Sequence, residues 1–259
     1  RAVFNDGSIC FYHKSIGGYS GAKMRRYQEL ADSILYQELY MAQYIVQYGF
    51  QNGMSDTAVQ SLFDSEAKIP ILDMLNTKYL IFHPDYTPIV NKNALGNAWF
   101  VKDYKLIENA DEEIKALKQL HPATEAVIDR KFQEQLKGFK PAFDSLATIK
   151  LVDVAPDYVV YESDASAQQL AVFSEIYYPH GWVVTIDGKE TDHFRANYVL
   201  RAMLVPAGKH TIKFEFVPIL YKKGVAISYT CSIALFLMIA AGIFFEYKKR
   251  KKGMSVNTD

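Results

Sequence analysis

The sequence predicts an α+β chain: a mixed helix and strand region over residues 1–150, a small antiparallel β-sandwich over 151–221, a transmembrane helix over 222–247 and a basic tail over 248–259. Three observations carry that prediction. Gly224–Phe245 contains no charged residue, and at about 1.5 Å per residue such a helix matches the roughly 30 Å hydrocarbon core of a bilayer. From Ala22 to about Lys150, apolar residues recur mainly at helical spacing, broken by short extended runs. Beyond Lys150 the spacing shortens to two and turn residues punctuate it, the pattern of strands with one face in a core.

Taken in order, residues 1–21 are polar and broken by Gly17, Gly18 and Gly21, which disfavour regular structure. Met24, Tyr27, Leu30, Ala31, Ile34, Leu35, Leu39, Ala42, Ile45 and Val46 then form one apolar stripe of an amphipathic helix, with Gly49 as its stop. Ser55 or Asp56 caps a second helix that buries Val59, Leu62 and Phe63. Within the apolar run Ile69–Phe82, Tyr79–Phe82 reads as a strand before the turn His83-Pro84-Asp85. A strand over Asn97–Val101 follows a turn at Gly96, and Asp111, Glu112 and Glu113 open a helix whose buried face is Ile114, Leu117 and Leu120.

In the later region Ala171–Tyr177 reads as a strand, and Asp187-Gly188 as a two-residue hairpin turn after the strand that starts at Trp182. Tyr198–Val205 runs to a turn at Pro206-Ala207-Gly208, and Thr211–Val217 alternates cleanly. The last strand leads through Pro218 into the apolar helix, which places the sandwich next to a bilayer.

The flanks orient that helix. Lys222 and Lys223 precede it, while Lys248, Lys249, Arg250, Lys251 and Lys252 follow. The positive-inside rule therefore puts the tail in the cytoplasm and residues 1–221 outside. Lys+Arg and Asp+Glu number 29 each, but the basic flanks hold several of those positive charges and leave the remainder mildly acidic. An acidic domain without a Lys/Arg cluster argues against nucleic acid as a partner. Of two cysteines, Cys231 lies inside the span, so Cys10 has no intrachain partner outside it. The sequence opens Arg1-Ala-Val-Phe without a basic-then-apolar signal pattern, so an external domain implies either a signal that was removed or, the favoured expectation, further membrane helices of the same protein before this segment.

Chemistry is sparse. His13, His83, His121, His180, His193 and His210 are scattered without HExxH or paired ligand spacing, which predicts no metal site. No cofactor motif is present, nor a GxSxG elbow, a CxxC or a phosphate-binding loop. Glu112 and Glu113, at a helix start, read as solvated capping residues. Gly17, Gly18 and Tyr19, followed by Lys23, Arg25 and Arg26, are a candidate anion site, with glycine amides and guanidinium groups around a phosphate. The same residues suit a tight turn whose arginines pair with acidic neighbours. Tyr178, His180 and Trp182 are a candidate glycan-contacting group, because aromatic rings stack on sugar faces. A strand that turns Trp182 and one Tyr inward to the core is the commoner use of such residues.

Several segments resemble the YfhO family of bacterial membrane proteins. These are Ser15–Leu30 with its Gly-Gly-Tyr, Leu72–Ile81, Ala94–Val101, Phe173–Trp182, Arg195–Ala202 and Val205–His210. The resemblance implies the C-terminal external domain and last membrane helix of a polytopic protein similar to the GT-C class of glycosyltransferases. It implies as partners membrane lipid, a polyprenyl-phosphate-linked sugar, a cell-envelope glycan and upstream transmembrane helices of the same protein. It also implies that the catalytic acidic residue lies in an early external loop not in this sequence, so no residue here is assigned as catalytic. The alternative is a non-catalytic, membrane-anchored carbohydrate-binding or scaffold module in envelope polysaccharide assembly.

Overall fold

The computed structural model describes residues 3–254 apart from 5, 6, 12, 13, 84 and 143. Arg1, His13, Pro84 of the expected turn and the end of the basic tail (255–259) lie outside the described residues. The chain is α+β and forms two units, one of residues up to Tyr178 with Val183–Glu215, the other of Pro179–Trp182 with Phe216 onward.

In the first unit, helix α1 (Arg25–Leu30) passes through a π-helical turn (Ala31–Leu35) into α2 (Tyr36–Gln51). The predicted stripe is its buried side: Leu30, Ala31, Ile34, Leu35, Ala42 and Val46 are each at most 6% exposed. Gly49 is not the stop. It lies where α2 meets α3 (Asp56–Glu66), and a Cβ there would sit 2.8 Å from a Val59 methyl, so it is small because two helices approach closely. The helix ends instead at Gly53, with φ of 72°. There Gly53 N–H donates to Phe50 O and Met54 N–H to Gly49 O, a Schellman closure. Ser55 caps α3 by accepting from Ala58 N.

Helix α4 (Pro70–Met74) starts with proline, whose missing N–H is not needed in a first turn. Glu38 of α2 accepts from the next two amides, Ile71 N at 3.1 Å and Leu72 N at 2.9 Å. The short strands β1 (Tyr79–Leu80) and β2 (Ile89–Val90) pair as a ribbon. Strands β3 (Ala98–Val101), β4 (Asp103–Ile107) and β5 (Glu125–Asp129) flank α5 (Ala110–Leu117), which Asn109 caps by accepting from Glu112 N.

The remaining strands are β6 (Thr148–Ala155), β7 (Tyr158–Ala165), β8 (Gln169–Ile176), β9 (Trp182–Ile186), β10 (Lys189–Thr191), β11 (Phe194–Ala196), β12 (Leu200–Val205) and β13 (Gly208–Phe216). They build a five-stranded sheet, β10-β9-β13-β7-β6, and half of a six-stranded sheet, β3-β8-β12-β11-β5-β4. The boundary expected near residue 150 does not separate compact units. Strands β3, β4 and β5 from before it share one sheet with β8, β11 and β12 from after it, and β4 pairs with β5 in parallel.

The six-stranded sheet is covered on both faces. Leu170, Val172, Leu200 and Ala202 turn toward the helices and join their core, while Phe173 packs edge-on against Tyr161 and Phe214 of the other sheet at 4.8 and 5.0 Å. Burial on both faces explains why β8 and β12 are nearly continuous apolar runs rather than alternating ones. The hairpin turn at Asp187-Gly188 is as expected, with φ of 50° and 79°.

The second unit carries α6 (Ile219–Met254), whose stretch Lys223–Lys249 is long and apolar enough to cross a membrane and contains an 18-residue window with a mean hydropathy of 2.1. None of that window is buried against protein. At the unit's start, Gly181 has φ of 83° and lies against Phe216, where a Cβ would come within 2.7 Å of the ring.

Candidate functional site

The glycine segment of the candidate anion site is held by backbone. Gly18 N–H donates to Val3 O at 2.9 Å, and a Cβ on Gly17 would fall 2.3 Å from that same oxygen. The glycines thus let two stretches of main chain touch. Gly18 has φ of 122°, a conformation side chains resist. Lys23 donates to Phe4 O, Tyr27 OH donates to Ile16 O, and Tyr19 is exposed.

Arg25 and Arg26 both find carboxylates. Arg25 Nε meets Glu29 Oε1 at 2.7 Å on the surface, one helical turn away. Arg26 reaches inward, with Nη1 2.9 Å from Oε2 of Glu113, whose side chain is fully buried. Glu113 is therefore not the solvated capping residue that its place in α5 suggested; Glu112 is exposed. Arg195 on β11 approaches the same oxygen at 3.4 Å and Asp129 at 2.9 Å. Burial pushes the Asp129 carboxyl up, but the Lys131 amide and charge, together with Arg195, hold it below the ordinary carboxylate range.

Tyr198 locks this network to the backbone. Its amide donates to Glu113 Oε1 at 3.1 Å, its hydroxyl donates to Glu29 at 2.6 Å, and the Arg26 guanidinium lies 4.5 Å above its ring. Burial, with the nearby Glu29 charge, raises its hydroxyl to about 12. Tyr198 and Asn197 both have positive φ, 71° and 48°, in the tight loop between β11 and β12. Such a conformation is costly for residues with side chains and persists where its surroundings over-determine it. Asn197 supplies part of that: its amide donates to Val127 O at 2.8 Å, and its side chain accepts from Val127 N at 2.9 Å.

The structure thus brings Arg25 and Arg26 to a carboxylate network and Lys23, Gly17 and Gly18 to the N-terminal main chain. The second candidate group is arranged differently. Tyr178 is exposed in the first unit, while exposed His180 and half-buried Trp182 belong to the second, where the Trp182 ring lies 5.4 Å from Phe216. Glu29, Glu113, Asp129, Arg195 and Tyr198 escaped the sequence reading because their pairings span up to 169 positions. One signal was present: Arg195 and Arg201 are the only charges in the run Phe194–Val205, which marks charged residues within otherwise uncharged strands. Among the described residues, no group of three or more His, Cys, Asp or Glu is placed to hold a metal.

An apolar helix of membrane length joined to a β-rich domain defines the class: a membrane protein with a large extramembrane part. The model of the family described as bacterial membrane protein YfhO matches residues 131–228, from the turn after β5 through the second sheet into α6. Over that span, which is less than half of the chain, the sequence is similar to the YfhO family of bacterial membrane proteins. No curated protein and no solved structure matches it.

Proposed function

We propose that this chain is the accessory external domain and closing membrane helix of a glycosyltransferase that uses polyprenyl-phosphate-linked sugar in the bacterial cell envelope. Residues 1–221 lie outside the cytoplasmic membrane and the basic tail inside. The domain works without its own metal or cofactor, beside other membrane helices of the same protein.

The observation that supports an accessory role most is the network at Glu113. The acidic and basic side chains that converge in this domain bind one another in the interior, where they stabilise the β11–β12 loop instead of facing a substrate. What remains for a lipid-linked donor is the outer part of the glycine segment, with exposed Tyr19 and Arg25 next to Lys23 and Arg26. Tyr178 in the first unit, and His180 with Trp182 in the second, are each positions offered to the glycan.

The test is transfer of labelled sugar from a polyprenyl-phosphate donor by membranes that carry the intact gene product. Arg26→Ala is a poor probe, because it also strips a cation from buried Glu113. Tyr19→Ala with Arg25→Ala touches only exposed groups. The expected result is a transfer rate lowered about ten-fold, equivalent to about 1.4 kcal/mol, with unchanged accumulation in the membrane. Transfer that does not depend on the gene sinks the transferase reading. Gene-dependent transfer that ignores both substitutions removes the anion site and leaves the rest.

A further inference from the structure

We propose that the outer face of α2 is a binding strip for a neutral, linear glycan. One side of α2 belongs to the core; the other presents Gln37, Tyr40, Tyr44, Gln47, Tyr48 and Gln51, all exposed. At about 100° per residue these six fall within one third of the helix circumference. Tyr40, Tyr44 and Tyr48 are 68%, 70% and 52% exposed, far more than a tyrosine needs if its role is packing.

The rings are arranged in parallel pairs. Tyr36 and Tyr40 have centroids 6.4 Å apart with planes 26° from parallel, and Tyr44 and Tyr48 repeat the arrangement at 6.5 Å and 29°. Each four-residue step advances about 6 Å along the axis, the scale of a single sugar ring. The exposed Tyr40, Tyr44 and Tyr48 thus recur at one four-residue interval, which suits a ligand that is itself a repeat.

The chemistry of the strip selects the ligand class. Its six exposed side chains carry no charge, which complements an uncharged ligand. Aromatic faces take the C–H side of a pyranose, and glutamine amides both donate to and accept from its hydroxyls. Tyrosine adds contact area at little entropic cost, since few torsions are immobilised. The alternatives fit poorly. Polyanions and anionic bilayer surfaces call for Lys or Arg, as in interfacial helices. A protein hot spot also uses Tyr, but sets it with Trp and Arg in desolvated pockets. This strip carries no Trp, Arg or Lys, and its tyrosines stand more than half exposed on a convex helix face. The one carboxylate of α2, Glu38, points inward to the α4 amides.

The proposal shares with the proposed function an encounter with envelope glycan, but rests on α2 alone. The full chain, held in phosphatidylcholine nanodiscs free of sugar-based detergent, is titrated calorimetrically with cellohexaose, chitohexaose and, as charged control, a galacturonate hexamer. We expect at least one neutral hexasaccharide to bind. Tyr44→Ser should weaken that binding about ten-fold, and Tyr44→Phe should leave most of it. If Tyr44→Ser does not fold, judged by circular dichroism, Tyr40→Ser gives the same reading. Silence of both neutral sugars with the unmodified chain overturns the proposal, as does binding that neither serine variant changes or that is tighter for the galacturonate. A dimer that Tyr44→Ser splits in sedimentation, without a sugar response, overturns it in favour of a contact between copies. Sugar transfer is not read in this titration, so its outcome leaves the transferase reading untouched, and failure of transfer leaves the strip untouched.

Discussion

Glu113 and Asp187 do the same job in two places. Each carboxylate accepts from a backbone amide with one oxygen and a cationic partner with the other: Tyr198 N and two arginines for Glu113, Thr211 N and His210 for Asp187. Each also stabilises a hairpin loop with positive φ at non-glycine residues. They differ in solvent. The Glu113 side chain is fully buried, whereas that of Asp187 is 51% exposed. Water competes for the second set of bonds and screens its charges, so equal geometry yields unequal energy. Removing one member of a buried set strands the others without solvation.

The largest expected effect breaks the buried side of this comparison. Glu113→Ala leaves two guanidinium groups and the Tyr198 amide facing a cavity, and should cost roughly 3–5 kcal/mol. Urea unfolding of the full chain followed by Trp99 fluorescence would measure it, since Trp99 is 9% exposed and donates to Pro122 O. Arg26→Ala should cost less, because Arg195 stays beside Glu113. A loss no larger than for an exposed pair would mean that the network is not a structural lock.

Glu38 comes next. Glu38→Leu orphans the Ile71 and Leu72 amides and should cost about 1–3 kcal/mol. Burial pushes the Glu38 carboxyl up to about 7, against the opposing pull of the two amides. Its folded value is above its unfolded one, so its stabilising contribution is complete below the unfolded carboxylate range and is lost as pH rises through about 7. Glu38→Gln should flatten the dependence of unfolding free energy on pH across that interval. An unchanged slope would place the titration elsewhere.

The exposed side of the comparison is subtler. Hydrogen bonding to Asp187 and to the Ala207 carbonyl raises His210, and His210 together with the Thr211 amide lowers Asp187. The histidine's contribution is present below its unfolded value, about 6.5, and lost as pH rises through the higher folded one. The aspartate's contribution is present above its unfolded range and lost as pH falls. Hydrogen exchange at Thr211 N should therefore be slowest between those limits, and Asp187→Asn should remove the alkaline limb. The smallest effect belongs to Arg25→Ala. An exposed one-turn helix pair is screened by water, so the melting temperature should stay within error.

Where the sequence was legible, the information was local. The stripe of α1 and α2, the cap at Ser55, the turn at Asp187-Gly188 and the charge-free run of α6 depend on neighbours within a turn or a hairpin. Gly49 departs from the expected stop for a physical reason: a glycine near a helix end commonly marks a stop, but here it clears space for Val59 across a helix pair. Glu113 looked solvated because an acidic residue in a first turn usually is; only the arrival of β11 and its arginine buries it.

Composition and periodicity alone determined the α+β class, the membrane-length helix and the positions of most helices and hairpins, because each is set by spacings of two to four residues and by backbone preferences of single residues. The tertiary structure decided that strands before and after residue 150 share one sheet, that Arg26 and Arg195 converge on Glu113, and that the tyrosines of α2 remain outside. Those outcomes depend on which surfaces exclude water together, a property of pairs far apart in the chain that no local spacing encodes.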